Sequence, residues 1–186
     1  GIAFGVLLAL ARMGRKDVWS WVANAWIEVA RNTPALFQIY LAYFGLGSVG
    51  LHISSFLALL AGITFNNAGY LAETFRGGLR AIPGTQIRAA RSLGMTAGQG
   101  FRLVVLPQLI RVVYYPITNQ MILAVLMTAL GLTVGLDSDL AGVTQRFNVL
   151  TYRTFEYFSV AAVLYYLVAK ILLVAARLLA FRLFRY

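Results

Sequence analysis

The chain has 186 residues, of which 60% are hydrophobic and 12% charged, and carries a formal charge of +10. Apolar residues in such excess, gathered in long blocks, exclude an ordinary soluble domain and point to one membrane domain over residues 1–186. The basic residues sit between and beside apolar runs rather than on a solvated, aromatic-interleaved surface, which argues against nucleic-acid binding, and the absence of cysteine removes disulfide and thiol chemistry.

Residues 1–11 are apolar but too few for a crossing, which takes about 20 residues. Neither an initiator Met nor a basic stretch precedes them, so they do not read as a signal peptide. They are expected to be the end of a first span whose beginning lies upstream, stopped by Arg12, Arg15 and Lys16. Val18, Val22, Ala25, Trp26 and Val29 then recur at helical spacing, with Ser20, Asn24, Glu28 and Arg31 opposite. Such a helix suits the membrane interface or an ordinary place on the helix bundle.

Thr33 reads as the N-cap of a second span over residues 34–47, with Pro34 early in the helix. That span is short unless residues 46–51 extend it. The third covers residues 55–75 and carries Asn66, Asn67 and Glu73. Glu73 is spaced for an i, i+3 ion pair with Arg76. Amides in mid-span must find partners, either across helices or on a solute.

The polar stretch that follows, residues 83–105, reads as structured. Pro83 and Gly84 turn the chain, Thr85 is placed to cap a short helix to Leu93, and Gly94 is a natural stop. Thr96 and Gln99 have the spacing of a capping box that opens another helix. The result is a helix–Gly–helix hinge in which Ala89 and Ala90 leave little side chain and Arg88, Arg91 and Arg102 add positive charge. By physics alone it is either a docking element or a connection lying on anionic membrane lipid.

The 25 uncharged residues between Arg111 and Asp137 form a fourth span interrupted by Pro116, which can loosen the helix near Asn119, Gln120 and Thr128. Residues 157–176 form a fifth. Lys170 within it lies near enough to the end to snorkel to the headgroups. Residues 12–31, 73–111 and 177–186 together hold thirteen Arg and Lys against Asp17, Glu28 and Glu73. The opposite loops hold Arg146 and Arg153 against Asp137, Asp139 and Glu156. The basic side should be cytoplasmic, which places the C-terminus and the hinge there. The fold expected is therefore all-α and polytopic, with five transmembrane helices, the first truncated.

No catalytic or metal-binding set is visible. His52, the only histidine, falls in an outer loop. A phosphate-binding loop needs Gly-Lys-Ser/Thr, whereas the only lysines are Lys16, between Arg15 and Asp17, and Lys170, between Ala169 and Ile171. This chain has no such nucleotide site, so uphill transport would need a separate ATPase.

Several motifs point in one direction when taken in order. They are Arg31-Asn32-Thr33-Pro34, the run 66–73, Phe75-Arg76-Gly77-Gly78, and Arg88-Ala89-Ala90-Arg91-Ser92-Leu93-Gly94 followed by Leu106-Pro107-Gln108. Over residues 25–183 the chain resembles the permease subunits of ABC importers for polar amino acids and opines. In that family the Ala-Ala-Gly segment docks on the ATPase. The resemblance therefore implies docking through Arg88, Ala89, Ala90, Gly94 and Pro107, although Arg88 stands where the family usually has Glu. It also implies two ATPase copies carrying ATP and Mg, a second permease subunit, identical or paralogous, and an external solute-binding protein. The location implied is a bacterial inner membrane. Asn66, Asn67, Asn119, Gln120 and Thr128 are the candidate solute ligands. The family's usual Lys-Asp is here Leu126-Met127, so charge at that point must come from elsewhere. The rival reading is a non-transporting scaffold or sensor that recruits a cytoplasmic partner.

Overall fold

The computed structural model describes residues 1–14 and 17–184, so Arg15 and Lys16 of the basic stop lie outside the described residues. Among these the chain forms eight helices and no strand. They are α1 (Ile2–Met13), α2 (Val18–Asn32), α3 (Ala35–Ser48), α4 (Ser55–Arg80), α5 (Gly84–Ser92), α6 (Ala97–Val134), α7 (Leu140–Thr151) and α8 (Thr154–Leu183). Helices α4, α6 and α8 are long and apolar enough to cross a membrane, whereas α1 and α3 are apolar but shorter. The hinge's second helix and the fourth span prove to be a single rod, because α6 continues from its capping box to Val134 without a break in the helical path.

Helix α4 is the hub, and α1, α2, α3 and α6 all pack on it. Small residues make this possible. A β-carbon added at Gly62 would fall 2.5 Å from Ile39 of α3, at Gly69 2.6 Å from Ala30 of α2, and at Gly78 2.3 Å from Val113 of α6. Lipid tails are as apolar as leucine, so helices in a membrane are held by close backbone approach and polar contacts rather than by hydrophobicity. Between α4 and α6, buried Ile82, Val105, Leu109 and Val113 gather Phe75, Leu79 and Ile117 around them.

Helix α2 packs on the bundle, but its buried face is not the apolar stripe expected from hydropathy. Ser20, Ala23, Ile27 and Ala30 are inside, while Val18, Val22 and Val29 are exposed. Ala25 and Trp26 of the expected stripe are half-buried, and Trp26 stacks on Phe65 and donates from its indole nitrogen to the Phe65 carbonyl.

Three local expectations are corrected. Pro34 is itself the N-cap of α3, because proline forces the residue before it to be extended and Thr33 obeys. The Thr33 hydroxyl turns back to donate to Val29, and Gln38 ties the corner by donating to Ala30 and Thr33. Pro83, not Thr85, occupies the N-cap of α5, with Thr85 in its first turn. Pro116 leaves α6 α-helical from Leu106 to Leu126, and the helix tightens to 3₁₀ geometry only over Met127–Val134. There the Thr128 and Thr133 hydroxyls donate to carbonyls three residues back, at Val125 and Leu130.

Candidate functional site

The hinge is closed by backbone chemistry at both ends. Helix α5 stops at Leu93, and Gly94 takes a left-handed φ of +80°, a conformation that costs glycine little and branched residues much. The Gly94 amide donates to Arg91 and the Met95 amide to Ala90, the paired bonds that finish a helix with its last carbonyls satisfied. Thr96 and Gln99 then cap α6 reciprocally: each side chain accepts from the other's backbone amide. Pro107 has no amide hydrogen to offer Leu103, and the preceding turn, Phe101–Val105, widens into π-helical geometry.

The two arms are locked together. Ala90 is buried, 3.8 Å from where a β-carbon on Gly100 would stand. Gln108 of α6 donates to the Gln86 side chain of α5. The structure thus separates the expected docking residues by role. Arg88, Ala89, Gly94 and Pro107 lie on the surface, while Ala90 serves as the contact between the arms. Around them Leu93 is 79% exposed and Leu103 62%, with Arg91 and Arg102 nearby, giving a basic rim on an apolar surface.

Glu73, close to this end of α4, anchors a cluster larger than its spacing implies. Arg76 is its partner one turn on, with Nε 3.1 Å from both carboxylate oxygens. Arg12 of α1 also donates to it, and Arg31 of α2 lies 3.8 Å away. Three arginines from three helices meet one carboxylate. Only the local pair could be read from sequence, because the other two depend on how α1 and α2 pack.

The candidate solute ligands do not form one cluster. Asn66 donates across helices to the Ala30 carbonyl, and Asn67 donates to Ile63 within its own helix. The side-chain oxygens of both are buried without a partner. Asn119 is exposed and its neighbour Gln120 buried. Thr128 lines a groove of about 690 Å³ between α4, α6 and α8, together with Ile63, Met121 and Leu172. Among the described residues no hydrogen bond links any two of the five. Lys170 is exposed, its ammonium 5.2 Å above the Tyr166 ring, as a snorkelling side chain can be.

Three helices long and apolar enough to cross a membrane stand beside a basic helix–Gly–helix corner, and comparison with known proteins decides the family. Residues 1–185 match the family described as the binding-protein-dependent transport system inner membrane component. The chain belongs to that family. Among its relatives, the octopine transport system permease protein OccM of Rhizobium meliloti is 34% identical over 97% of this chain and 76% of its own length. The arginine transport system permease protein ArtQ of Bacillus subtilis is 30% identical over 92% of this chain and 78% of its own. A chain of a solved amino acid ABC transporter with histidines superposes with a TM-score of 0.90 at 32% identity, covering 97% of this chain and 84% of that one. A chain of the inward-facing MetNI methionine ABC transporter shares the fold, with a TM-score of 0.74 at 23% identity. Inner-membrane components of this family are permease subunits of ABC importers. The hinge, the Glu73 cluster and the groove are therefore features of a permease.

Proposed function

We propose that the chain is the membrane-spanning subunit of an ATP-driven importer for a polar amino acid or an opine-like solute. Its five spans are α1, α3, α4, α6 and α8, with the C-terminus and the 83–105 hinge in the cytoplasm. Arg88, Ala89, Gly94 and Pro107 meet the ATPase, and Ala90 holds the hinge in shape. Two ATPase copies bearing ATP and Mg, a second permease subunit and an extracytoplasmic solute-binding protein complete the assembly. The solute passes Asn66, Asn67, Asn119, Gln120 and Thr128 as the bundle alternates between outward and inward openings.

One observation carries this reading: the hinge is capped at both helix ends and its arms meet at buried Ala90, which should make it stiff. A segment closed by a left-handed glycine, a reciprocal cap and a buried Ala90 passes displacement on to α4 and α6, whereas a floppy connection would absorb it. Amides suit the solute path because they can satisfy both the ammonium and the carboxylate of an amino acid without introducing charge. The experiment is to purify the native complex and reconstitute it in proteoliposomes. A P-loop ATPase should co-purify, and uptake of an amino acid or octopine should require ATP. A chain that purifies without an ATPase, or recruits a different soluble partner, defeats the proposal.

A further inference from the structure

At the end of α6 far from the hinge, one carboxylate is only half used. Asp139 is the N-cap of α7, and its Oδ1 accepts from the Gly142 amide at 2.8 Å. Its Oδ2 is buried and has no hydrogen-bond partner. The hydroxyl of Tyr165, on α8, is likewise buried and unpartnered. It faces the Thr128 side chain, the Ala141 backbone and the charge of Asp139 without a well-formed hydrogen bond to any of them. Thr128 has already given its proton to the Val125 carbonyl, so what it presents to a neighbour is lone pairs. Three segments therefore converge on one spot, bringing acceptor oxygens and a negative charge.

Among the described residues no basic side chain is paired with that charge. Of the two arginines on this side of the molecule, Arg153 pairs with Glu156 at 3.0 Å. Arg146 lines a separate pocket with Asp137 and Gln145. Lys170 lies over Tyr166. Among the described residues Asp139 makes no ion pair. A helix cap explains one carboxylate oxygen and leaves the other desolvated, which is costly unless a cation completes it. Thr128 also lines the groove of about 690 Å³ between α4, α6 and α8, so the spot adjoins that groove through this one residue.

We propose that Asp139, Tyr165 and Thr128 form a subsite for a positively charged nitrogen of the transported solute, an ammonium or a guanidinium group. The inference rests on the importer reading. It also supplies what Leu126 and Met127 cannot, since those two side chains offer only an apolar wall. An ammonium brings three donors and a guanidinium five, for the free carboxylate oxygen of Asp139 and the lone pairs of Thr128. The Tyr165 hydroxyl can accept from the cation and donate to the carboxylate.

Asp139→Asn separates the ligand role from the cap, because asparagine caps helices as well as aspartate does. The complex carrying this variant should purify with its partners at wild-type yield. In proteoliposomes it is compared with wild type for uptake of L-arginine, L-glutamine and L-glutamate. A loss of about tenfold in kcat/KM confined to arginine, the scale of one lost charge-assisted contact, assigns the subsite to the side-chain cation. The same loss for all three assigns it to the α-ammonium. Tyr165→Phe should give a smaller loss with the same pattern. Equal kcat/KM for every probe in wild type and Asp139→Asn overturns the subsite and leaves the importer reading standing. If wild type moves none of the three, the amino-acid reading fails, and the subsite is then judged without turnover by thermal stabilisation of the purified complex with L-arginine. A shift present in wild type and lost in Asp139→Asn supports it. An equal shift in both, or none in wild type, overturns it.

Discussion

Helices α4 and α8 both cross the bundle's full height, and the less apolar of the two is the more buried. The most apolar window of α4 has a mean hydropathy of 1.2 and is 50% buried, while that of α8 reaches 2.2 and is only 6% buried. In water the order would be the reverse. Here the apolar surface is left to lipid, and burial follows small residues and polar pairs: Gly62, Gly69 and Gly78, Asn66, and the Glu73 cluster all lie on α4. Helix α2 repeats the lesson on a smaller scale, with Ala23 and Ala30 inside and Trp19 and Trp21 outside.

The contrast can be broken most severely at the closest approach. Gly78→Leu must push into Val113 and Leu109, and should cost about 3 kcal/mol through overpacking. Little complex would be recovered after detergent extraction. Wild-type yield would show that α4 and α6 are not held by close approach. Glu73→Ala comes next, because it leaves Arg12, Arg31 and Arg76 facing one another without their anion. The cluster is partly exposed, so a loss of about 2 kcal/mol is expected, read as a lowered unfolding midpoint and weakened by salt. No change would mean that the cluster adds nothing to how α1 and α2 seat on α4.

Smaller effects sharpen the picture. Asn66→Leu removes an interhelical bond worth about 0.6 kcal/mol, whereas Asn67→Leu removes one within its own helix, so Asn66→Leu should be the less stable variant. Asn67→Leu and Asn119→Leu should instead assemble normally and transport poorly. Variants that degrade would reassign those amides to packing. The smallest effect is expected on α8. Leu178 is 62% exposed, and Leu178→Ala should change stability by less than about 0.5 kcal/mol. A larger loss would show that another permease subunit covers this face of α8.

Sequence reading succeeded where the cause is local. The Thr96–Gln99 box, the stop at Gly94 and the Glu73–Arg76 pair each need only a few consecutive residues, and all three stand as expected. It failed where two local effects compete, as at Thr33-Pro34, where a good capping hydroxyl loses to the steric demand of the following proline. Pro116 was the visible candidate for an irregular helix. The irregularity lies instead at Met127–Val134, where Gly131 packs tightly on Leu59 and Leu136. Partners brought together by tertiary packing carried no signal at all, among them Arg12 and Arg31 on Glu73, and Tyr165 beside Asp139.

The stiffness of the hinge is the central claim, and Gly94 tests it most directly. A β-carbon there meets nothing within 4 Å, so Gly94→Val acts chiefly through the left-handed backbone. The measurement is solute-stimulated ATP hydrolysis by the reconstituted complex, with membrane insertion of the variant verified alongside. Stimulation should fall at least about tenfold in Gly94→Val, against little change in Gly98→Ala, where glycine has no left-handed backbone to hold. Full stimulation in a correctly inserted Gly94→Val complex would contradict the assignment of residues 83–105 as the element that couples ATPase to permease.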